Sequence, residues 1–296
     1  GGKTHLAFRK RGNWKEKIFL PEGCALIDKK TNETALKILE KINENGIPPE
    51  KLKSLVIKVS KFFDERIAVL YVKSPDVNVG EVNIKGLVGF FIAYSNPLSP
   101  VSQVDSLVYE SGKDFIKERI SGRTFYYGYD CFFQNNITLF EKAIEEIISS
   151  FDKCENLIDL YSGIGIIGIL VSSKAKNIYS VEVSKESVRY AKLNKRENGA
   201  SNITLTSFQA EKAEENFIVG ANVVILDPPR AGMHKKVVKM LLEALPEKII
   251  YLSCNPITQG RDAAFLLEKY EIEKAVGFDF YPNTPHMETL LVFKKK

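Results

Sequence analysis

Between residues 159 and 168 the chain reads Asp159-Leu-Tyr161-Ser-Gly163-Ile-Gly165-Ile-Ile-Gly168, an acidic residue and three glycines where an apolar run gives out. Glycines so spaced let a strand turn tightly into a helix and bring backbone N–H groups close to a ligand. By formula, Gly163, Gly165 and Gly168 match the dinucleotide pattern GxGxxG, and Glu182, ending the next apolar run, could accept from both hydroxyls of a ribose. An NAD-dependent dehydrogenase is one reading of this segment. Two details favour S-adenosylmethionine. A carboxylate at Asp159 suits a substrate ammonium or a bound water and would crowd a pyrophosphate with like charge. Successive runs then end in Glu182, Gln209 and Asp227, side chains that suit a ribose, an adenine and a reacting centre. Of the glycines, only Gly168 reads equally well as a helix-packing residue.

A different chemistry lies further on. Cys254, in Ser253-Cys254-Asn255-Pro256, stands where an apolar run meets the opening of an amphipathic helix, whose unsatisfied N–H groups favour a thiolate. Two polar clusters accompany it: Asp227-Pro-Pro-Arg230-Ala-Gly232, and Asp279-Phe-Tyr281-Pro-Asn-Thr-Pro-His286-Met-Glu288. Cys131 and Cys154 read as packing residues. The four cysteines are far apart with no CxxC pair, which argues against a disulfide framework or a self-contained zinc site.

These residues need a scaffold, and the hydrophobic period supplies one. From about residue 136, short buried strands are expected at 157–161, 178–181, 203–206, 223–226 and 249–252, alternating with helices near 137–150, 166–175, 184–198, 234–245 and 258–269. Alternation of this kind predicts a parallel sheet covered on both faces, with the ligand site at the carboxyl ends of its strands. The first half reads otherwise. A helix over 31–45 accompanies β-rich runs at 54–63, 66–74, 86–94, 101–109 and 123–127, which predicts an antiparallel sheet with a covering helix. Two domains follow, 1–122 and 123–296, which the length of 296 residues accommodates. With 44% hydrophobic and 27% charged residues the composition excludes disordered and collagen-like chains. The net charge of +5 tolerates a polyanionic partner without indicating one. No run approaches the ~20 apolar residues of a membrane span. Gly1-Gly2-Lys3-Thr4 has neither an initiating Met nor a signal-peptide core, so an intracellular, cytoplasmic protein whose chain starts inside a longer one is expected.

Taken together, six motifs resemble the uracil-C5 RNA methyltransferases, the family that forms 5-methyluridine in tRNA and rRNA. They are Phe132-Phe-Gln134-Asn-Asn136, the Asp-Leu-Tyr-Ser-Gly-x-Gly loop, Val181-Glu182, Asp-Pro-Pro-Arg-x-Gly, Ser-Cys-Asn-Pro-x-Thr and Phe-x-Pro-x-Thr-x-His-x-Glu, in the family's order over residues 132–288. Weaker similarity reaches back to Phe8-Arg9-Lys10 and Cys24. The resemblance implies an α/β, Rossmann-like class I methyltransferase domain preceded by a smaller antiparallel β-rich (α+β) domain. It also implies S-adenosylmethionine as cofactor, an RNA partner (tRNA or rRNA), no membrane association and a monomer.

The same resemblance assigns roles. Cys254 is the nucleophile that adds to C6 of uracil, and Glu288 the base that removes the C5 proton; read alone, Glu288 is a solvated carboxylate on a terminal strand. Gln134, Tyr161, Gly163, Gly165, Glu182, Gln209 and Asp227 line the cofactor pocket, Asp227 also facing the target base, and Phe132 packs near the uracil. For His286 a part in orienting the Glu288 loop is expected. Arg230 pairs with carboxylates inside the site or touches phosphate, and Arg261 forms an ion pair with Asp262. The family's N-terminal OB-like domain is missing here. Cys24 matches only the fourth ligand of the iron–sulfur cluster that many members hold, so no cluster is expected from a chain lacking the other three. Ile166 and Gln209 also depart from the usual pattern. A catalytically silent RNA-binding module is the rival reading, against which Cys254, Glu288 and Gln134 stand intact.

Overall fold

The computed structural model describes residues 3–10, 12–214 and 216–296. It divides into two compact units, Gly1–Glu118 with Gly128–Asp130, and Arg119–Tyr127 with Cys131–Lys296.

In the first unit, β1 (Ala7–Lys10) and β2 (Asn13–Phe19) form a hairpin for which the hydrophobic period gave no sign. Helix α1 (Lys29–Glu44) begins where the Asp28 carboxylate accepts the Thr31 N–H at 2.9 Å. A four-stranded sheet then runs β3 (Leu52–Ser60), β4 (Glu65–Val72), β5 (Leu87–Tyr94) and β6 (Ser106–Gly112), in that spatial order. Ile38 and Ile42 of α1 pack on Ala68, Leu70, Phe90 and Ile92. The expectation of an antiparallel sheet is corrected at one place: β4 and β5 are parallel. A parallel neighbour needs a long return connection. Residues 73–86 provide it, and they stay on the protein because Val77, Val79 and Ile84 bury themselves in the same core. Next in sequence, at the division between the two units, come β7 (Phe115–Ile120) and β8 (Arg123–Gly128).

The second unit is built on seven strands. Helix α2 (Ile137–Ser149) leads into β9 (Cys154–Leu160), α3 (Ile166–Leu170), β10 (Ala175–Val181), α4 (Lys185–Glu197), β11 (Ile203–Thr206), β12 (Val223–Leu226), α5 (Lys235–Ala244), β13 (Lys248–Ser253), α6 (Pro256–Leu266), β14 (Tyr270–Phe278) and β15 (Glu288–Lys295). The sheet order is β11-β10-β9-β12-β13-β15-β14. The first five of these strands are parallel, as alternation of strands and helices predicts. One strand is reversed: β15 lies antiparallel between β13 and β14, because a short return from β14 leaves no room for a crossover helix. Helix α3 is also a stub of five residues, where a longer helix over 166–175 was expected. Ile158, Val224, Ile249 and Tyr251 of the sheet meet Val237, Leu241, Ala263 and Leu266 of α5 and α6, each large side chain contributing roughly 1.5–3 kcal/mol by its removal from water.

Because β9 is paired with β10 on one side and β12 on the other, the chain leaves its carboxyl end toward one flank and that of β12 toward the opposite flank. A crevice for a ligand opens at such a reversal.

Candidate active site

The glycine loop leaves β9 at that reversal. Its backbone is left-handed at Tyr161 (φ 63°), Gly163 (φ 54°) and Gly165 (φ 83°), and only the first carries a side chain that must tolerate this. Three neighbours hold the loop. Glu182 accepts the Gly163 N–H at 2.9 Å and the Ser184 N–H at 2.7 Å. The buried Asn194 of α4 donates to the Ile164 carbonyl at 3.0 Å and pairs with the backbone of Tyr126 through both ends of its amide. Asp159 accepts the Gly168 N–H at 3.1 Å and lies 3.5 Å from the Ser180 hydroxyl. Asp159 is therefore used underneath the loop. The expectation that it meets a substrate ammonium or a bound water is corrected, since its carboxylate is buried beside Gly168 and Ser180. Gly168 is required by that contact: a Cβ there would stand 2.8 Å from Asp159 Oδ2.

The other predicted cofactor residues are distributed around the same loop. Gln134 is buried, and its Oε1 and the glycine-loop atom Ser162 Oγ are both buried without a hydrogen-bond partner. Tyr161 is half-buried, its phenol held by the His234 backbone. Gln209 is exposed and makes no side-chain capping bond to the short turn Ala210–Lys212 that follows it. Phe132 is 72% exposed, whereas its neighbour Phe133 stacks on Tyr127 at 3.8 Å.

Three further segments converge on the reacting centre. After β12 comes Asp227-Pro-Pro-Arg230; after β13 comes Cys254; and β15 opens with Glu288. The Arg230 carbonyl accepts from Asn255 Nδ2 at 3.0 Å and from the Thr258 hydroxyl at 3.1 Å, tying the first two loops together. Asn136 donates to the Phe280 carbonyl at 3.2 Å, joining the Gln134 segment to the one before β15. Within this cluster the Arg230 side chain hydrogen-bonds the Cys254 thiol, and the charges of Asp227 and Glu288 act on that thiol as well.

Electrostatics follows from crowding acids under apolar cover. Burial takes Glu288, 2% exposed, from an ordinary 4.5 up to about 8, with Asp227 adding to the shift and Arg230 opposing it. Burial likewise brings Asp227 up to about 7. Asp159 also reaches about 7, through burial first and then the charges of Asp227 and Glu182, partly offset by the Gly168 N–H. The Cys254 thiol is raised, by burial first and then by Glu288, and the Arg230 hydrogen bond offsets this only in part. The expectation that the helix opening at Pro256 favours the thiolate is thus corrected: loss of water and a neighbouring acid outweigh it. Glu288, far from being a solvated terminal carboxylate, is buried with Oε2 unpartnered.

A family model described as tRNA (uracil-5-)-methyltransferase matches residues 102–296. The chain belongs to that family. The methyltransferase is 30% identical to an uncharacterised RNA methyltransferase of Nanoarchaeum equitans, over 98% of this chain and 67% of the relative. It is 31% identical to one of Clostridium tetani, over 100% of this chain and 69% of that one. Among solved structures it is similar to the Pyrococcus abyssi tRNA (uracil-54, C5)-methyltransferase in complex with S-adenosyl-L-homocysteine, with a TM-score of 0.82 at 26% identity, covering 97% of this chain and 72% of the other. The fold is that of a class I methyltransferase, and the chain is an RNA methyltransferase.

Three residues around the candidate site are given no role by the sequence reading. Tyr281 has the charges of Glu288, Cys254 and Arg230 around its phenol and sits edge-on to His286 at 6.4 Å. Asn194 anchors the glycine loop, yet reads as an ordinary polar residue of an amphipathic helix. Gln259 is 2% exposed. A signal for it existed: 259, 262, 263 and 266 form the buried stripe of α6 at helical spacing, which puts an amide and a carboxylate where apolar side chains belong. Arg261 and Asp262 pair at 2.7 Å, and Asp262 also accepts from the Tyr251 hydroxyl and the Met233 N–H. Cys24 belongs to the first unit, where it is buried and its sulfur accepts the Leu26 N–H at 3.4 Å. Among the described residues no group of three or more His, Cys, Asp or Glu side chains is disposed to hold a metal ion, and no helix is long and apolar enough to cross a membrane.

Proposed function

We propose that this chain methylates carbon 5 of a uridine in tRNA or rRNA with S-adenosylmethionine, using Cys254 as nucleophile and Glu288 as base. The observation that carries the reading is the gathering of Cys254, Arg230, Asp227 and a buried, unpartnered Glu288 at the carboxyl ends of β12 and β13, beside the glycine loop.

The residues present fit the cofactor. Buried Gln134 Oε1 and Ser162 Oγ are free acceptors for its polar groups, and a Cβ at Gly163 would meet no heavy atom within 4 Å, so the loop has an open side there. The carboxylates of Glu182 and Asp227, both close enough to act on the Asp159 buried beneath the loop, suit a cation and repel a pyrophosphate. Glu182, oriented by two amides, is placed to take the ribose hydroxyls; Gln134, Tyr161, Gly163, Gly165, Gln209 and Asp227 line the remainder. When bound, S-adenosylmethionine supplies a methyl group on a positively charged sulfur.

The rest of the chemistry falls to the protein. Carbon 5 of uracil is too weak a nucleophile to take that methyl group unaided. The Cys254 thiolate, assisted by Arg230, forms a bond to C6, and the C5–C6 double-bond electrons move toward the C4 oxygen to give an enolate. Carbon 5 then accepts the methyl group. Glu288 takes the proton from C5, the double bond re-forms, and the C6–sulfur bond breaks to return the thiolate. An exposed Phe132 offers a face on which the base can stack.

In this reading residues 123–296 perform the methylation, and residues 1–122 help to hold the RNA. The protein works in the cytoplasm as a monomer. Phosphate contacts should make RNA affinity fall as salt rises. The deciding experiment offers the chain 5-fluorouridine-containing tRNA and rRNA transcripts with S-adenosylmethionine. Fluorine cannot leave as a proton does, so a covalent complex should persist on a denaturing gel, and Cys254→Ala should abolish it. A fully active Cys254→Ala enzyme would refute the mechanism.

A further inference from the structure

The nucleophile and the base descend from one cross-strand pair. Ser253, the last residue of β13, is the register partner of Thr289 in β15; Cys254 follows the first and Glu288 precedes the second. This is the terminal pair of the β13–β15 ladder, where strands are freest to separate. A buried amide spans it. Gln259, on the first turn of α6, donates through Nε2 to the Tyr251 carbonyl at 2.8 Å and to the Thr289 carbonyl at 3.1 Å. Its Oε1 accepts the Thr289 hydroxyl at 2.6 Å, and that hydroxyl also lies 3.4 Å from the Ser253 carbonyl. Three of the amide's hydrogen-bonding positions are thus used to close a ring through β13, α6 and β15.

Resting on the assignment of Cys254 and Glu288 above, we infer that Gln259 and Thr289 form a clamp that positions the base relative to the nucleophile. The clamp matters at one step. Once sulfur is bonded to C6, the pyrimidine rides on Cys254, so the C5 proton sits wherever β13 puts it. The base sits wherever β15 puts it. Addition to C6 and methyl transfer do not use Glu288, whereas proton removal depends on the spacing that the clamp sets. Loosening the clamp should therefore slow proton removal selectively and let the methylated, covalently bound RNA accumulate. A structural role for Gln259 would instead lower stability and every step together.

The test uses the whole 296-residue chain with unmodified tRNA and rRNA transcripts and S-adenosylmethionine. Gln259→Met keeps the side chain's length and removes its amide. Its kcat should fall by about 10- to 100-fold, as for a displacement on the order of 1 Å at a reacting centre. Affinity for S-adenosylmethionine, read by calorimetry, should stay within about twofold, and RNA carrying the methyl group should remain on the protein in a denaturing gel. Thr289→Val should behave in the same way, the double variant should be no worse than either single one, and Thr289→Ser, which keeps the hydroxyl, should release product normally. A Thr289→Val enzyme serves if Gln259→Met does not fold. Unchanged kcat in both variants overturns the clamp, and so does a fall in kcat without retained methylated RNA. Failure of the assignment beneath it looks different: the unaltered chain would then form no adduct with 5-fluorouridine RNA.

Discussion

Replacing Glu288 by Gln tests the electrostatics of the site with the protein alone. The carboxyl is 2% exposed, and its pKa rises from 4.5 to about 8 in the fold. Between those values the folded chain keeps a proton that the unfolded chain has lost, so Glu288 lowers stability progressively as pH rises through this window. The cost is under about 1 kcal/mol at pH 5 and about 3 kcal/mol at pH 7, with ~1.4 kcal/mol per pKa unit. A glutamine has the same shape and no charge at any pH. Any pH-independent penalty of burying its amide cancels when two pH values are compared. The stability difference between Glu288→Gln and the unaltered chain should therefore shift in favour of the variant by about 2–3 kcal/mol between pH 5 and pH 7. At about 2–4 °C per kcal/mol for a domain of this size, that is roughly 5–10 °C in Tm, measurable by thermal unfolding followed by circular dichroism. A difference in Tm that is the same at both pH values would show that Glu288 is already ionised at pH 5 and that burial does not govern it.

Three other outcomes follow from the same geometry. The rate constant kcat should rise with pH through about 8, because the raised Glu288 must be ionised to act as base and the raised Cys254 thiol must be ionised to attack; a profile that is flat or falls between pH 6 and 9 contradicts both assignments. Glu182→Ala removes the carboxylate that two loop amides orient and should weaken S-adenosylmethionine binding by at least about tenfold in calorimetry; a variant that binds as tightly as before would remove Glu182 from the pocket. Gly168→Ala would place a methyl group 2.8 Å from Asp159 Oδ2 and 3.1 Å from Ser180 Oγ, and should cost about 1–3 kcal/mol in urea unfolding; a negligible loss would mean that the loop yields freely.

Local regularity was legible in the sequence, and so was the parallel run of strands that alternate with helices; pairing outside that alternation was not. Strands β11 and β12 fall on the residues that the apolar runs predict, and α4 within one residue at either end, because burial imposes a period on each. Where no helix separates two strands, direction leaves no such mark. The parallel placement of β5 beside β4 depends on residues 73–86 finding a place in the core, and the antiparallel placement of β15 depends on its fitting between two strands. At the site, Cys254 and the glycine loop announce themselves by residue type and setting. The burial of Glu288 does not: residues 282–285 and Met287 before it are exposed, and only the strand that follows turns inward. Gln259 and Asn194 were hidden for the complementary reason, since a polar residue on an amphipathic helix is expected to face water.

The place of β15 sets the order in which a newly made chain can become an enzyme. Every other residue proposed for the reacting centre is translated before it, and β14 leaves the ribosome ahead of the strand that, among the described residues, is its one partner in the sheet. Until residues 288–295 emerge, β14 lacks its neighbour β15, the edge of β13 that β15 covers is open to other strands, and the proposed base is missing. Synthesis is thus divided into a stage in which the glycine loop and the nucleophile can be assembled and a stage in which turnover begins. A nascent chain stalled before residue 288 would, in the proposed mechanism, carry the nucleophile without the base.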